Sequence, residues 1–198
     1  MSVPPMRLAL RPALAVFAAL AVVMAATRAH HFGAVPDASW AVFFASGAWL
    51  AGHQRWAFPA LMAVAVLVDW AVITASGQSF WTHYCVSPGY WFLLPAHAAL
   101  VAAGQWATAR GGAPSWTLLG RTALALAVGI VLCHAFAQGG FYWFSAGIVA
   151  PSLGGWWTNF TDWLPAYARV ATGYTVVAAV AHLAFASAVR LRAAATSA

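Results

Sequence analysis

The chain contains no lysine and no glutamate, and its whole acidic complement is Asp37, Asp69 and Asp162. Charged residues make up 6% of the 198 positions, against about 25% in soluble domains, which excludes an ordinary water-facing surface. Only two cysteines are present, Cys85 and Cys133, too few for a disulfide framework of the kind that staples small secreted domains. No Gly-x-x-x-x-Gly-Lys-Ser/Thr phosphate loop occurs, so ATP hydrolysis by that route is excluded. Internal repeats, low-complexity linkers and a separable soluble domain are missing as well.

What the chain has is apolar sequence, 64% of its residues, interrupted by nine arginines that give a net charge of +6. The arginines are scattered near the ends of apolar runs and form no patch, so they argue topology, and nucleic acid is not an expected partner. Given that a span needs about 20 mostly apolar residues, six runs qualify or nearly do: Leu8 to Thr27, Ala38 to Gly52, Trp56 to Ala75, Tyr90 to Ala109, Leu118 to Ala137 and Pro165 to Val189. The second is short for a full crossing. Asp37 suits the N-cap of the second run, and Pro165 the first turn of the sixth.

The expected fold is therefore an all-α integral membrane protein, a six-transmembrane-helix bundle forming one domain over residues 1–198, multi-pass and monomeric in the lipid bilayer. The first run also has the look of a signal peptide, with Arg7 and Arg11 ahead of it and Ala26-Thr-Arg-Ala29 at its end. Because the rest of the chain is itself polytopic, an uncleaved first helix is the better reading. Positively charged loops stay cytoplasmic. With the N-terminus inside, seven arginines fall on the cytoplasmic side and only Arg28 and Arg169 on the other, so both termini are expected in the cytoplasm.

That orientation puts three connections outside: Arg28 to Asp37, Ser76 to Gly89, and Gln138 to Leu164. They hold most of the residues with chemistry to offer. The third is long and rich in both aromatics and glycines, and reads either as an interfacial aromatic belt or as a folded lid over a partly apolar ligand.

Asp69 is the one carboxylate inside a span, a costly placement that marks a candidate site. At about 1.5 Å rise per residue it lies ~9 Å below the end of its helix. His97 reaches a comparable depth in the next run, so an Asp69–His97 pair is geometrically open, as a structural hydrogen bond or as part of a site. His30 and His31 are adjacent, which converges poorly on one metal ion without help from other loops; solvated histidines are the plainer reading. Arg169 snorkels to the interface or binds a ligand amide, phosphate or carboxylate. His134 and His182 read as packing residues.

Cys133 sits in an apolar run and reads as a small buried hydrophobe. Cys85 does not, since it lies in Thr82-His-Tyr-Cys-Val-Ser-Pro-Gly-Tyr90, a polar and aromatic loop. Three readings compete there besides an inert thiol: a nucleophile with His83 as base, a redox thiol that would ordinarily want a cysteine partner, and a ligand for a soft metal, including one inside a cofactor.

A cysteine in the loop after the third span, six short spans and aromatic outer connections together resemble the S-components of energy-coupling-factor vitamin transporters. The chain is most similar to the solitary BtuM-like cobalamin transporters, over nearly its whole length, with the cysteine as the most distinctive element. The resemblance implies an S-component-like fold in the bacterial inner membrane that takes cobalamin from the outer side. It implies Cys85 as axial ligand to the cobalt of cobalamin, and as the catalytic group if cyanocobalamin loses its cyanide. His30 or His31, Asp69, Tyr90 and Arg169 would line the substrate site, and no free metal ion is called for. Transport would use a borrowed energising module of the energy-coupling-factor type, or facilitated movement with trapping. The rival expectations are an intramembrane thiol enzyme built on Cys85 and His83, and an S-component for another vitamin.

Overall fold

The computed structural model describes residues 8–29, 35–83, 85–111, 114–145 and 147–196, and among these there is no strand. Six α-helices follow one another: α1 (Leu10–Arg28), α2 (Ser39–Trp49), α3 (Gln54–Ala75), α4 (Leu93–Thr108), α5 (Trp116–Phe144) and α6 (Leu153–Thr196). Two short 3₁₀ turns, Phe80–Thr82 and Pro88–Phe92, lie between α3 and α4. Four helices, α1, α3, α5 and α6, are long and apolar enough to cross a membrane, which suits a membrane protein. The other two fall short, α2 because its 11 residues reach only ~16 Å.

The short helix is the centre of the molecule. Packing contacts join α2 to all five other helices, and eight of its residues, from Ser39 to Gly47, are buried. Its closest neighbour is α4, and the crossing is glycine-built. A Cβ placed on Gly47 would run into the backbone carbonyl of Val101, and one on Gly104 into that of Phe44. With no side chain on either helix at the contact, the backbones meet directly, as small residues permit in bundles that lack a hydrophobic drive for association. α4 in turn packs along α5, whose buried face includes Ala125, Leu126, Gly129, Ile130 and Cys133.

Local signals set the helix ends. Ser115 starts α5 by accepting the Leu118 N–H at 3.2 Å, a side-chain cap of the usual type. Asp37 lies one residue before the α2 boundary residue Ala38, and its Oδ1 accepts both the Ser39 N–H (2.9 Å) and the Ser39 hydroxyl (2.6 Å). The N-cap position expected for Asp37 falls instead on Ala38, which makes no side-chain cap, and Asp37 satisfies the first free donor of the helix from one residue earlier.

The sequence-based expectation fails at residues 138–164. These are not a long connection: α5 continues to Phe144 and α6 begins at Leu153, leaving only 145–152 between them. The glycines at 139 and 140 are carried within α5. Gly140 is needed where it stands, because a Cβ there would strike the Phe92 ring and the Gly89 carbonyl of the turn packed against it. Pro165 is correspondingly not at a helix start but inside α6. Its ring removes one backbone donor from that turn. In the same stretch His134 on α5 donates Nε2–H to the Phe160 carbonyl at 2.9 Å, tying α5 to α6.

Candidate functional site

The polar chemistry of the molecule gathers where α1 ends, α2 begins and α3 approaches its last turns. Arg28, the final residue of α1, is buried with 9% of its surface exposed, and Asp69 on α3 with 8%. The guanidinium grips the carboxylate with two bonds, Nε to Oδ1 at 2.6 Å and Nη2 to Oδ2 at 2.7 Å. Its Nη1 donates to Asp37 Oδ2 at 3.0 Å and to Ser39 Oγ at 3.2 Å. Tyr90, in the second 3₁₀ turn, donates its hydroxyl to Asp69 Oδ2 at 2.6 Å. Thr27 joins the edge of the group by accepting the Ala38 N–H at 3.1 Å. Arg28 therefore ties α1, the entry to α2, α3 and the turn before α4 into one hydrogen-bonded unit.

Such an arrangement is what a buried arginine requires. Its planar fork matches a carboxylate edge to edge, and five donors need partners once water is excluded. Burial, reinforced by the Asp69 charge, pushes the Tyr90 phenol above its ordinary value. The hydroxyl thus stays protonated and remains a donor to the carboxylate.

Two of the residues expected at a site, Asp69 and Tyr90, are brought together here. The Asp69–His97 pair does not form. His97 is fully buried elsewhere, its ring stacked on Phe43 (4.1 Å, 10°) and its Nδ1 3.3 Å from Met62 Sδ. Asp69 instead has both oxygens engaged by Arg28 and Tyr90. Arg169 stands on α6 with its side chain exposed, and no hydrogen bond or ion pair links it to another described residue. His30 and His31 lie outside the described residues.

Cys85 is half-buried in a turn between the two 3₁₀ segments, and neither it nor the fully buried Cys133 is in a disulfide. The loop around it is closed on itself. His83 is buried, its Nδ1 accepts the Cys85 backbone N–H at 3.3 Å, and its carbonyl accepts the Val86 N–H at 2.8 Å. Ser87 Oγ accepts the Gly89 N–H at 3.2 Å and caps the second 3₁₀ turn. Across the loop the buried Phe80 ring meets Tyr90 edge to face at 6.1 Å and 87°. On the far side Gly89 abuts Gly140, and Phe92 stacks on Phe144 at 5.1 Å.

With Nδ1 accepting a backbone N–H, the neutral His83 ring carries its proton on Nε2. Among the described residues no group of three or more His, Cys, Asp or Glu side chains converges as a metal site.

Two apolar grooves flank these elements. One of 410 Å³ lies between α3 and α4, lined by Met62, Val66, Leu67, Tyr90, Trp91 and Leu94 among others. The other, 280 Å³, lies between α5 and α6. The aromatic residues of the α5–α6 hairpin pack mainly among themselves and against α2. Trp40 stacks on Tyr167 at 4.8 Å, and His134 sits between Tyr167 and Phe160.

Sequence reasoning passed over Arg28, treating it as a charge at a helix end. A signal was present, because the arginine count leaves Arg28 on its disfavoured side and the carboxylate expected inside the third run needed a partner; the expectation that Asp69 is the one carboxylate inside a span fails, since Asp162 lies within α6. Neither a protein-family model nor a curated protein sequence matches the chain.

Proposed function

We propose that the chain is a cobalamin-uptake protein of the bacterial inner membrane, resembling a solitary S-component. In this reading six segments span the membrane, both termini are cytoplasmic, and the Arg28 end of the bundle faces outward. Cys85 supplies the axial sulfur to cobalt, and His30 or His31, Asp69, Tyr90 and Arg169 contribute contacts to the corrinoid. Displacement of the axial cyanide of cyanocobalamin by the thiolate is the one chemical step this arrangement invites.

The observation that supports it best is the placement of Cys85. A half-buried thiol on a short folded loop, braced by two 3₁₀ turns and tied through Tyr90 to a buried charged cluster, is a presented side chain. A drug-sized ligand fills roughly 300–1,000 Å³ and a corrinoid is larger. Neither groove encloses one, so capture in this reading goes with opening of the Arg28 end.

The test is an absorption spectrum of protein purified from cobalamin-fed cells, wild type beside Cys85→Ala. Sulfur ligation predicts a bound corrinoid whose cobalt bands differ between the two. Absence of corrinoid from the wild type, or identical spectra, would overturn the cobalt-ligand assignment. Retention of a different vitamin with Cys85 dispensable would select the other S-component reading.

A further inference from the structure

We propose that Arg28 is a positioning residue for the thiol loop: acting through Asp69 and Tyr90, it holds the loop shut and sets how accessible Cys85 is. The inference concerns the protein without ligand and stands apart from which molecule the thiol meets.

The argument runs through three contacts. Tyr90 is the fifth residue beyond Cys85, and its ring is the surface on which Phe80, at the start of the loop, is seated. Tyr90 therefore fastens both limbs of the loop, with Cys85 between them. The Tyr90 hydroxyl is held by Asp69 Oδ2. Asp69 is in turn fixed by the two-pronged grip of Arg28, and Arg28 by its further bonds to Asp37 and Ser39. Each link is a short bond to a charged group, the class that contributes most when buried.

The loop has a second anchor, but it does a different job. Gly89 against Gly140 and Phe92 on Phe144 attach the start of α4 to α5. Neither contact reaches the Phe80 limb. The Phe80 turn is also packed on α3, so loss of the polar anchor leaves both ends of the loop seated and loosens the Phe80–Tyr90 closure between which Cys85 lies. The sequence placed Arg28 among the topological charges; the geometry makes it the fixed end of a latch.

The experiment measures the rate at which maleimide modifies Cys85 in purified, corrinoid-free protein, read by peptide mass spectrometry. The buried Cys133 on α5 is followed in the same sample. Because labelling through a rapidly opening loop tracks the open population, Tyr90→Phe should raise the Cys85 rate about tenfold, the shift that losing one buried bond to a charged group brings. Asp69→Asn and Arg28→Gln should raise it at least as much. Arg28→Lys, which keeps the charge but not the fork, should fall between Arg28→Gln and wild type. Arg110→Gln, exposed beyond the end of α4 and outside the proposed site, should label at the wild-type rate.

A latch moves Cys85 alone, whereas general loosening of the bundle would move Cys133 in parallel. Unchanged Cys85 labelling in Tyr90→Phe, the variant least able to disturb folding, overturns the proposal. So does a rise in Cys85 labelling matched by an equal rise at Cys133. A failed cobalamin spectrum alongside positive labelling would discard the ligand assignment and leave the latch standing.

Discussion

The shortest helix and the longest are both largely apolar and have opposite places in the molecule. α2, with 11 residues, touches every other helix and buries most of its surface. α6, with 44, is exposed along nearly all its length; Phe160 and Ala171 are its buried residues among those described, while Val177 is 66% exposed and Phe185 72%. In water the exposed helix would be the anomaly. In a bilayer it is the ordinary case, because lipid tails cover an apolar face as well as leucine does. Hydropathy thus reports that a segment avoids water and says nothing about whether protein or lipid replaces it. Within α2 the distinguishing features are small residues at the crossing and polar residues with partners: Gly47, Ser39 and Ser46, whose hydroxyl reaches the Phe43 carbonyl at 2.9 Å.

This contrast predicts where substitutions will hurt. The largest effect belongs to Arg28→Gln at the mouth of α2, which strands Asp69 as a buried charge without its counter-ion. A loss of about 3–5 kcal/mol is expected in a denaturation titration in detergent, and a loss below ~1 kcal/mol would mean that the cluster is far better hydrated than its geometry implies. Next is Gly104→Ala, where a single methyl meets the Phe44 backbone and must push α2 off α4. Overpacking of this kind typically costs about 1–3 kcal/mol, and a neutral result would show that the glycine crossing is loose.

Tyr90→Phe comes third. It removes one hydroxyl, costs about 1.5 kcal/mol as the low end for a bond to a charged group, and moves the melting temperature modestly while opening the thiol loop. The smallest stability effect is expected for Arg169→Gln on the exposed face of α6, within about 0.5 kcal/mol of wild type. The same variant sharpens the functional side of the comparison: in the cobalamin reading it weakens corrinoid binding about tenfold, the loss of one charged hydrogen bond, measured by spectral titration. Unchanged affinity would remove Arg169 from the site.

Much of the helical layout was legible, since five of the apolar runs begin or end within a few residues of a helix. The exception is instructive. Gly139, Gly140 and Pro165 read as breakers that end one helix and start the next, but in the folded chain Gly140 allows Gly89 and Phe92 to approach and the proline is absorbed inside α6. Backbone punctuation and close packing use the same residues, and a sequence does not say which use applies. At the site, Asp69 was legible because a lone carboxylate in an apolar run is conspicuous. Its partner was not: Arg28 is 41 residues away, and a helix end in the membrane gives an arginine two plausible fates, snorkelling to the headgroups or folding inward. His97 illustrates the same limit, being at the right depth for Asp69 and facing Met62 and Phe43 instead.

By itself the sequence determined that the chain is helical and apolar enough to leave water, that it carries one buried carboxylate, and that its accessible thiol sits in a loop after the third run. These follow from composition and from which residues avoid solvent. Only the tertiary structure decided that the shortest run is the hub of the bundle, that most of the long aromatic stretch is helix, and that Arg28 reaches Asp69 and Tyr90. Those outcomes depend on which helix faces meet, and in a chain so uniformly apolar the choice of face rests on a few glycines and on the need of each buried charge for a partner.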